Sequence, residues 1–280
     1  MKNLIYLTLF SLVFAACEKI VDVEIPSESP RLVVEGQITN LKELWKVRLT
    51  LSQPYFDQEE VDAIADAVVT IKGTDGTDVL LSHTDTGMFV SNDSLQCLVG
   101  EEYFLSIIYK GDTYTAKEKL QNAFAIDTLA AFYLPPNDRS FPEGTYIFLQ
   151  GQSDQANQSF YLFKTYRNDT LKSEDLDDDE FGSVSLLNSA FDVNDILGEI
   201  ARGSLPRPIL FDVDTDDTIR VEQYAITQQY YQFLIDLGAQ QGRSGTPFDP
   251  PPANPNNNIS NGGLGYFSVA HKEEMELVVE

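Results

Sequence analysis

Cysteine is nearly missing from this chain: of 280 residues, only Cys17 and Cys97 carry a thiol. Once Cys17 is committed elsewhere, no internal disulfide can form and the fold must stand on its hydrophobic core. Histidine is equally scarce, with His83 and His271 alone. A Ser-His-Asp or Cys-His arrangement needs one of them beside a nucleophile in an ordered pocket, and no nucleophile-elbow or metalloprotease motif is present. His83 lies near the turn His83-Thr84-Asp85-Thr86-Gly87, and His271 follows the last strand-like segment. Both read as exposed or hydrogen-bonded surface side chains, and an enzyme is not expected. Positive charge is short as well: 19 Lys and Arg face 44 Asp and Glu, a formal charge of −25. Such a surface repels nucleic-acid phosphates and anionic lipid headgroups, which excludes a nucleic-acid or membrane-surface binder. The apolar run from Leu4 to Phe14 is too short to span a bilayer, which takes about 20 residues.

That run has a different use. Lys2 gives a basic start, the apolar stretch follows, and the small residues Ala15 and Ala16 precede Cys17. This is the layout of a secretory signal, here residues 1–16, removed in the mature protein. The run Val13-Phe14-Ala15-Ala16-Cys17 resembles a lipobox, with Phe14 where Leu is commonest. Cys17 is therefore the expected lipidation site. Diacylglycerol on its sulfur, often with an acyl chain on the new amino group, anchors a protein at about 0.8 kcal/mol per buried methylene. Loss of Lys2 takes the formal charge from −25 to −26. Residues 17–30 read as a short acidic tether punctuated by Pro26 and Pro30.

Residues 31–120 carry a compact β pattern. Leu32–Ile38, Val47–Leu51, Ala67–Ile71, Val79–Leu81, Gly87–Val90, Tyr103–Tyr109 and Thr113–Ala116 read as seven short strands, with Lys110-Gly111-Asp112 a tight hairpin turn. Their spacing predicts an immunoglobulin-like antiparallel β-sandwich, although the Cys-Trp-Cys signature of true immunoglobulin domains is missing. Residues 121–280 read as a second β-rich domain with one packed helix. Its strands are predicted at Tyr146–Gly151, Phe160–Tyr166, Ile209–Phe211, Ile219–Ile226 and Leu264–Ala270. The helix is predicted over 227–240, where Tyr230, Tyr231, Leu234 and Leu237 share one face and Thr227 is placed to cap it. The fold class expected is mainly β.

Few residues suggest chemistry. Cys97 sits in the strand-like Leu95-Gln96-Cys97-Leu98-Val99 and reads as a buried, inert thiol rather than a nucleophile. Asp212, Asp214 and Asp216 alternate as the oxygen donors of calcium loops do, making Ca2+ the one candidate cofactor. An EF-hand is excluded, because Asp217 stands where Gly is needed and Gln223 where Glu is needed. The run Asp177-Asp178-Asp179-Glu180 reads as a solvated loop. A glycosidase needs two carboxyls about 5–9.5 Å apart across a cleft, and sequence cannot select a pair from so many acids.

Several segments carry a family resemblance. The opening Cys17-Glu18-Lys19 with Val21-Asp22-Val23, then Pro30 to Thr39, Leu49-Thr50-Leu51-Ser52-Gln53-Pro54-Tyr55-Phe56 and Ile126-Asp127-Thr128-Leu129 are part of it. The most specific piece is the ending: Pro247-Phe248-Asp249-Pro250-Pro251-Pro252-Ala253-Asn254-Pro255, Asn258-Ile259 and Gly262-Gly263-Leu264-Gly265-Tyr266-Phe267. Together they resemble the Bacteroidota lipoprotein family named domain of unknown function 4249, across nearly the whole mature chain. The resemblance implies an outer-membrane lipoprotein, an accessory or partner of a TonB-dependent receptor in uptake or envelope assembly. It supplies no catalytic residues and leaves open which side of the membrane the body faces. Direct capture of a glycan, peptide or metal is the alternative, with an atypical hydrolase a third. The aromatic and proline-rich ending itself reads as a loop pinned to the core rather than a ligand site. Four Asp-Ser/Thr-aliphatic triplets also resemble the acceptor of general O-glycosylation in Bacteroidota, making Ser94, Thr128, Thr170 and Thr218 candidate modification sites, with chance in an Asp- and Thr-rich chain as the competing account.

Overall fold

The computed structural model describes residues 29–53, 60–123, 126–135, 143–151, 160–171, 184–188, 209–211, 213–241 and 253–280. All of these except Ser29 belong to one compact unit, Pro30–Gln53 with Gln58–Glu280. Of the other unit, Met1–Ser29 with Pro54–Asp57, only Ser29 is described, so Cys17 lies outside the described residues.

The chain is mainly β. Seven strands build the first layer pair: β1 (Leu32–Thr39), β2 (Glu43–Leu51), β3 (Val68–Gly73), β4 (Asp78–Asp85), β5 (Met88–Leu95), β6 (Glu102–Tyr109) and β7 (Asp112–Lys119). Alternation decides which face each residue takes. Val34 and Ile38 of β1, Trp45, Val47 and Leu49 of β2, Val69 and Ile71 of β3, and Leu105 and Ile107 of β6 point into one core. Their neighbours Glu35, Lys46, Arg48 and Lys72 face outward. Pairing runs β1-β2-β5-β4-β3-β6-β7, antiparallel at every step. This is the immunoglobulin-like sandwich expected from the strand spacing. Lys110 and Gly111, at φ 50 and 89, form the two-residue turn between β6 and β7.

Among the described residues, eight more strands and one helix follow: β8 (Ile126–Leu134), β9 (Gly144–Gly151), β10 (Phe160–Arg167), β11 (Thr170–Leu171), β12 (Val184–Asn188), β13 (Ile209–Phe211), β14 (Thr218–Ile226), α1 (Gln228–Gln241) and β15 (Leu264–Val278). Strands β13, β9 and β8 form a small sheet. Its Leu129 and Ile147 pack in a second core with Tyr161, Phe163, Ile219 and Val221 from β10 and β14. The helix covers the opposite face, where Tyr230, Tyr231 and Leu234 rest on Phe160, Leu162, Tyr224 and Ile226. Thr227 caps the helix as expected, its Oγ1 accepting from the Tyr230 amide at 3.2 Å.

β15 departs most from the sequence reading. It was expected to end at Ala270 but continues for eight residues, so His271 lies inside a strand. Charged residues Lys272, Glu273, Glu274 and Glu276 conceal the alternation that places Met275, Leu277 and Val279 at the second core. Leu264–Ala270 pairs in parallel with β1, and His271–Val278 pairs antiparallel with β14. The bordering Asn40 extends the β1 ladder by one step, its amide exchanging hydrogen bonds with both the N–H and the C=O of Lys272. One strand from the end of the chain therefore joins β10 and β14 to the β1–β7 ladder in one continuous sheet, and Ile259, Phe267 and Val269 enter the core built by residues 31–120. β8 carries no clear alternation and was not anticipated as a strand. Cys97 follows β5 rather than lying within a strand, and it is buried as expected.

Candidate functional site

The open seam between β7 and β15 is closed by side chains of the proline- and asparagine-rich ending. Asn258 acts as a piece of strand: its Oδ1 accepts from the Phe267 amide at 3.1 Å, and its Nδ2 donates to the Phe267 and Lys117 carbonyls at 2.8 and 3.4 Å. Ser260 joins the same edge, its amide donating to the Thr115 carbonyl and its Oγ accepting from the Thr115 amide at 2.7 Å. The described part of the ending, from Ala253 on, is thus held to the core, while Pro247, Phe248 and Pro250 to Pro252 lie outside the described residues. It also protects a sheet edge that would otherwise be free to pair.

Below the seam lies Glu118, 9% exposed, on the inward parity of β7. Its Oε2 accepts from the hydroxyls of Tyr266 at 2.8 Å and Thr227 at 3.0 Å, joining β7, β15 and the cap of α1. Burial holds this carboxyl above the ordinary glutamate range, against the pull of the two hydroxyls. A second buried acid, Glu222 at 4% exposure, sits on β14. It accepts from Lys272 at 2.9 Å, Tyr224 at 2.7 Å, Tyr166 at 3.1 Å and from Arg220. Burial alone would raise Glu222; the hydrogen bond from Lys272, with those from Tyr224 and Tyr166, outweighs it and holds the carboxyl low. Four donors fill its acceptor capacity. Lys164, directly opposite in register, instead rests its ammonium 5.3 Å from the centre of the Tyr224 ring. Neither acid was singled out from sequence as a buried group. The readable signal for Glu118 was an acid two residues from Ala116, on the apolar parity of a strand.

The Glu118–Tyr266 contact supports one wall of a cleft of about 480 Å3 between α1, β1 and the start of β15. Tyr230, Phe233 and Leu237 face it from one side of the helix, and Tyr266 from β15. The three rings pack together, with centroids 4.7 Å (Tyr230–Tyr266), 5.0 Å (Phe233–Tyr266) and 6.1 Å (Tyr230–Phe233) apart. Glu35 and Gln37 supply the polar lining from β1, and Asn254 from the loop. The floor depends on Gly265, at φ 84, where a Cβ would lie 2.0 Å from the Val34 carbonyl oxygen. The cleft's size and largely apolar lining suit a bound small molecule or side chain.

The residues named from sequence are scattered. His83 is exposed on β4, its ring 5.3 Å from that of Phe89. His271 Nε2 lies 3.2 Å from Glu273 Oε1. Burial pushes the Cys97 thiol far above its usual range, so it stays protonated. Asp212 lies outside the described residues. Asp214 and Asp217 converge on the Arg167 guanidinium, at 2.9 and 2.6 Å, while Asp216 occupies a positive-φ turn at φ 72. Asp217 also accepts from the Asp214 amide at 2.7 Å and from Asn168 at 2.6 Å. This turn closes around an internal cation, and no three His, Cys, Asp or Glu side chains converge among the described residues. Ser94, Thr128 and Thr170 are exposed on β5, β8 and β11; Thr218, at the start of β14, is half-buried.

No curated protein matches this chain. Among solved structures, a two-domain fibronectin type III segment of chicken tenascin is similar over 71% of this chain and 91% of its own, at 13% identity and a TM-score of 0.21. The family described as a domain of unknown function, DUF4249, matches residues 18–276. With nearly the whole chain covered, the protein belongs to the DUF4249 family.

Proposed function

We propose that the protein is a lipid-anchored component of the outer membrane that acts by binding, as an accessory partner of a TonB-dependent receptor. The observation that carries the binding part is the cleft beside α1. It is walled by rings locked to one another, while the buried acids Glu118 and Glu222 are both committed to holding strands together. A catalytic carboxylate needs a free lone pair toward a substrate, and Glu222 has none left. The anchor rests on the lipobox around Cys17, and the receptor on what the resemblance to a lipoprotein family implies.

Gentle solubilisation of membranes followed by affinity capture of the tagged lipoprotein tests the partnership. A receptor should be co-recovered from the same membrane. Recovery of the protein alone, under conditions that preserve other receptor complexes, overturns it. The anchor is tested separately. Cys17→Ser should move the protein from the membrane fraction to the soluble one, and unchanged fractionation excludes lipidation at this position.

A further inference from the structure

We propose that the cleft between α1 and β1 captures a ligand with an apolar body and a single positive charge, such as an Arg or Lys side chain beside an apolar residue of a peptide. The inference deepens the binding reading and does not depend on which receptor is the partner. Three observations carry it. The cleft's apolar end is built from Tyr230, Phe233, Leu237 and Tyr266, and ring faces favour cations as well as apolar groups. Among the described residues its only charged lining residue is Glu35, whose carboxylate side chain is 60% exposed. The whole chain, at −25, attracts cations and repels anions.

Positive groups do stand nearby, on β2. Arg48, opposite Glu35 in register, reaches it only at 3.7 Å with both side chains well exposed, and Lys46 stands opposite Gln37. Pairs of this kind are weak and yield to a ligand that places its charge closer and in a drier setting. An anionic ligand would find no cation among the described lining residues and would meet the field of the whole molecule. The walls are formed in advance. The Tyr266 hydroxyl is held by Glu118, and the parallel β1–β15 pairing fixes Glu35 opposite Tyr266. The ligand therefore finds its ring wall and its carboxylate already in place.

The test uses the lipidated full-length mature protein in nanodiscs of zwitterionic lipid, titrated calorimetrically with three peptides: acetyl-Phe-Arg-amide, acetyl-Phe-Gln-amide and acetyl-Phe-Glu-amide. Empty nanodiscs serve as the blank. The cationic peptide should bind about fivefold or more tightly than the neutral one, and the anionic peptide least. Glu35→Gln should erase the charge preference, and Arg48→Gln should increase it by freeing Glu35. Leu237→Trp should abolish binding of all three by filling the cleft, with circular dichroism verifying the fold of each variant. Absence of binding by the cationic peptide overturns the inference, as does a charge preference that survives Glu35→Gln or binding that survives Leu237→Trp in a folded variant. Co-recovery of the receptor without peptide binding would remove this inference and leave the partnership standing. Peptide binding without the receptor would do the reverse.

Discussion

Two buried glutamates show how much neighbours decide about one residue type. Glu118 has hydroxyl donors and, among the described residues, no side-chain cation bonded to it, and burial keeps its carboxyl above the usual range. A carboxyl held above its unfolded value costs the fold stability at high pH, and that cost falls away as pH drops through the raised value toward the unfolded one. Glu118→Gln should therefore unfold at higher urea than the parent at pH 8, with the gap closing toward pH 5. A gap that stays constant with pH would show that Glu118 is not held high. Glu222 has the opposite sign: its contribution is present above the unfolded value and is lost as pH falls, because Lys272, Tyr224 and Tyr166 favour the charged form. At the same scale, Gly265→Ala must fit a Cβ 2.0 Å from the Val34 carbonyl oxygen in a left-handed conformation. A loss of about 3 kcal/mol or more in chemical unfolding is expected, or failure to fold. Wild-type stability in this variant would mean the β1–β15 register can shift.

Among the elements, β15 and the loop before it hold the architecture together. The strand pairs first with β1 and then with β14 within one sheet, and Asn258 bridges it to β7 with two side-chain hydrogen bonds to Phe267 and one to Lys117. Asn258→Ala leaves the amide of the fully buried Phe267 without its partner. A loss of about 2 kcal/mol in urea unfolding is expected, with the α1 cap unaffected. A change below about 0.5 kcal/mol would show that solvent or backbone replaces the asparagine. The sequence made most of the strands legible, because alternation of apolar and polar residues is a local pattern. It was legible in β1, β3, β6 and β14, and in the helical spacing of α1. It failed at β8, whose Leu129-Ala130-Ala131-Phe132-Tyr133 is apolar throughout, and in the second half of β15, where acids and Lys272 break the pattern. The seam was illegible for a different reason: Ser260 and Thr115 are 145 positions apart, and nothing local in either predicts that their segments meet.

At the scale of the molecule, a chain of −25 whose one described cysteine, Cys97, is free and buried depends on its cores and on the cations placed among its acids. Arg167, Arg220 and Lys272 each neutralise at least two carboxylates, an arrangement that concentrates scarce positive charge where strands β10, β14 and β15 adjoin. The exposed hydroxyls of Ser94, Thr128 and Thr170 are open to enzymatic modification. Intact-mass measurement of protein from its native host should show at least one glycan mass beyond the lipid adduct. Detection of the lipid adduct alone would exclude O-glycosylation at these positions and at Thr218.

By itself, the sequence determined the mainly β class, the strand spacing of a sandwich, the capped helix α1, the burial of Cys97 and the family. Each of these follows from short-range patterning, composition or a contiguous motif. Only the tertiary structure decided that the last strand completes the first sandwich, that Glu118 and Glu222 are buried, and that Asp214 and Asp217 close around Arg167. It also decided that Tyr230, Phe233, Tyr266 and Glu35 line one cleft. Those outcomes depend on contacts between residues far apart in the chain, whose energies come from desolvation and from the geometry of partners that no local pattern encodes.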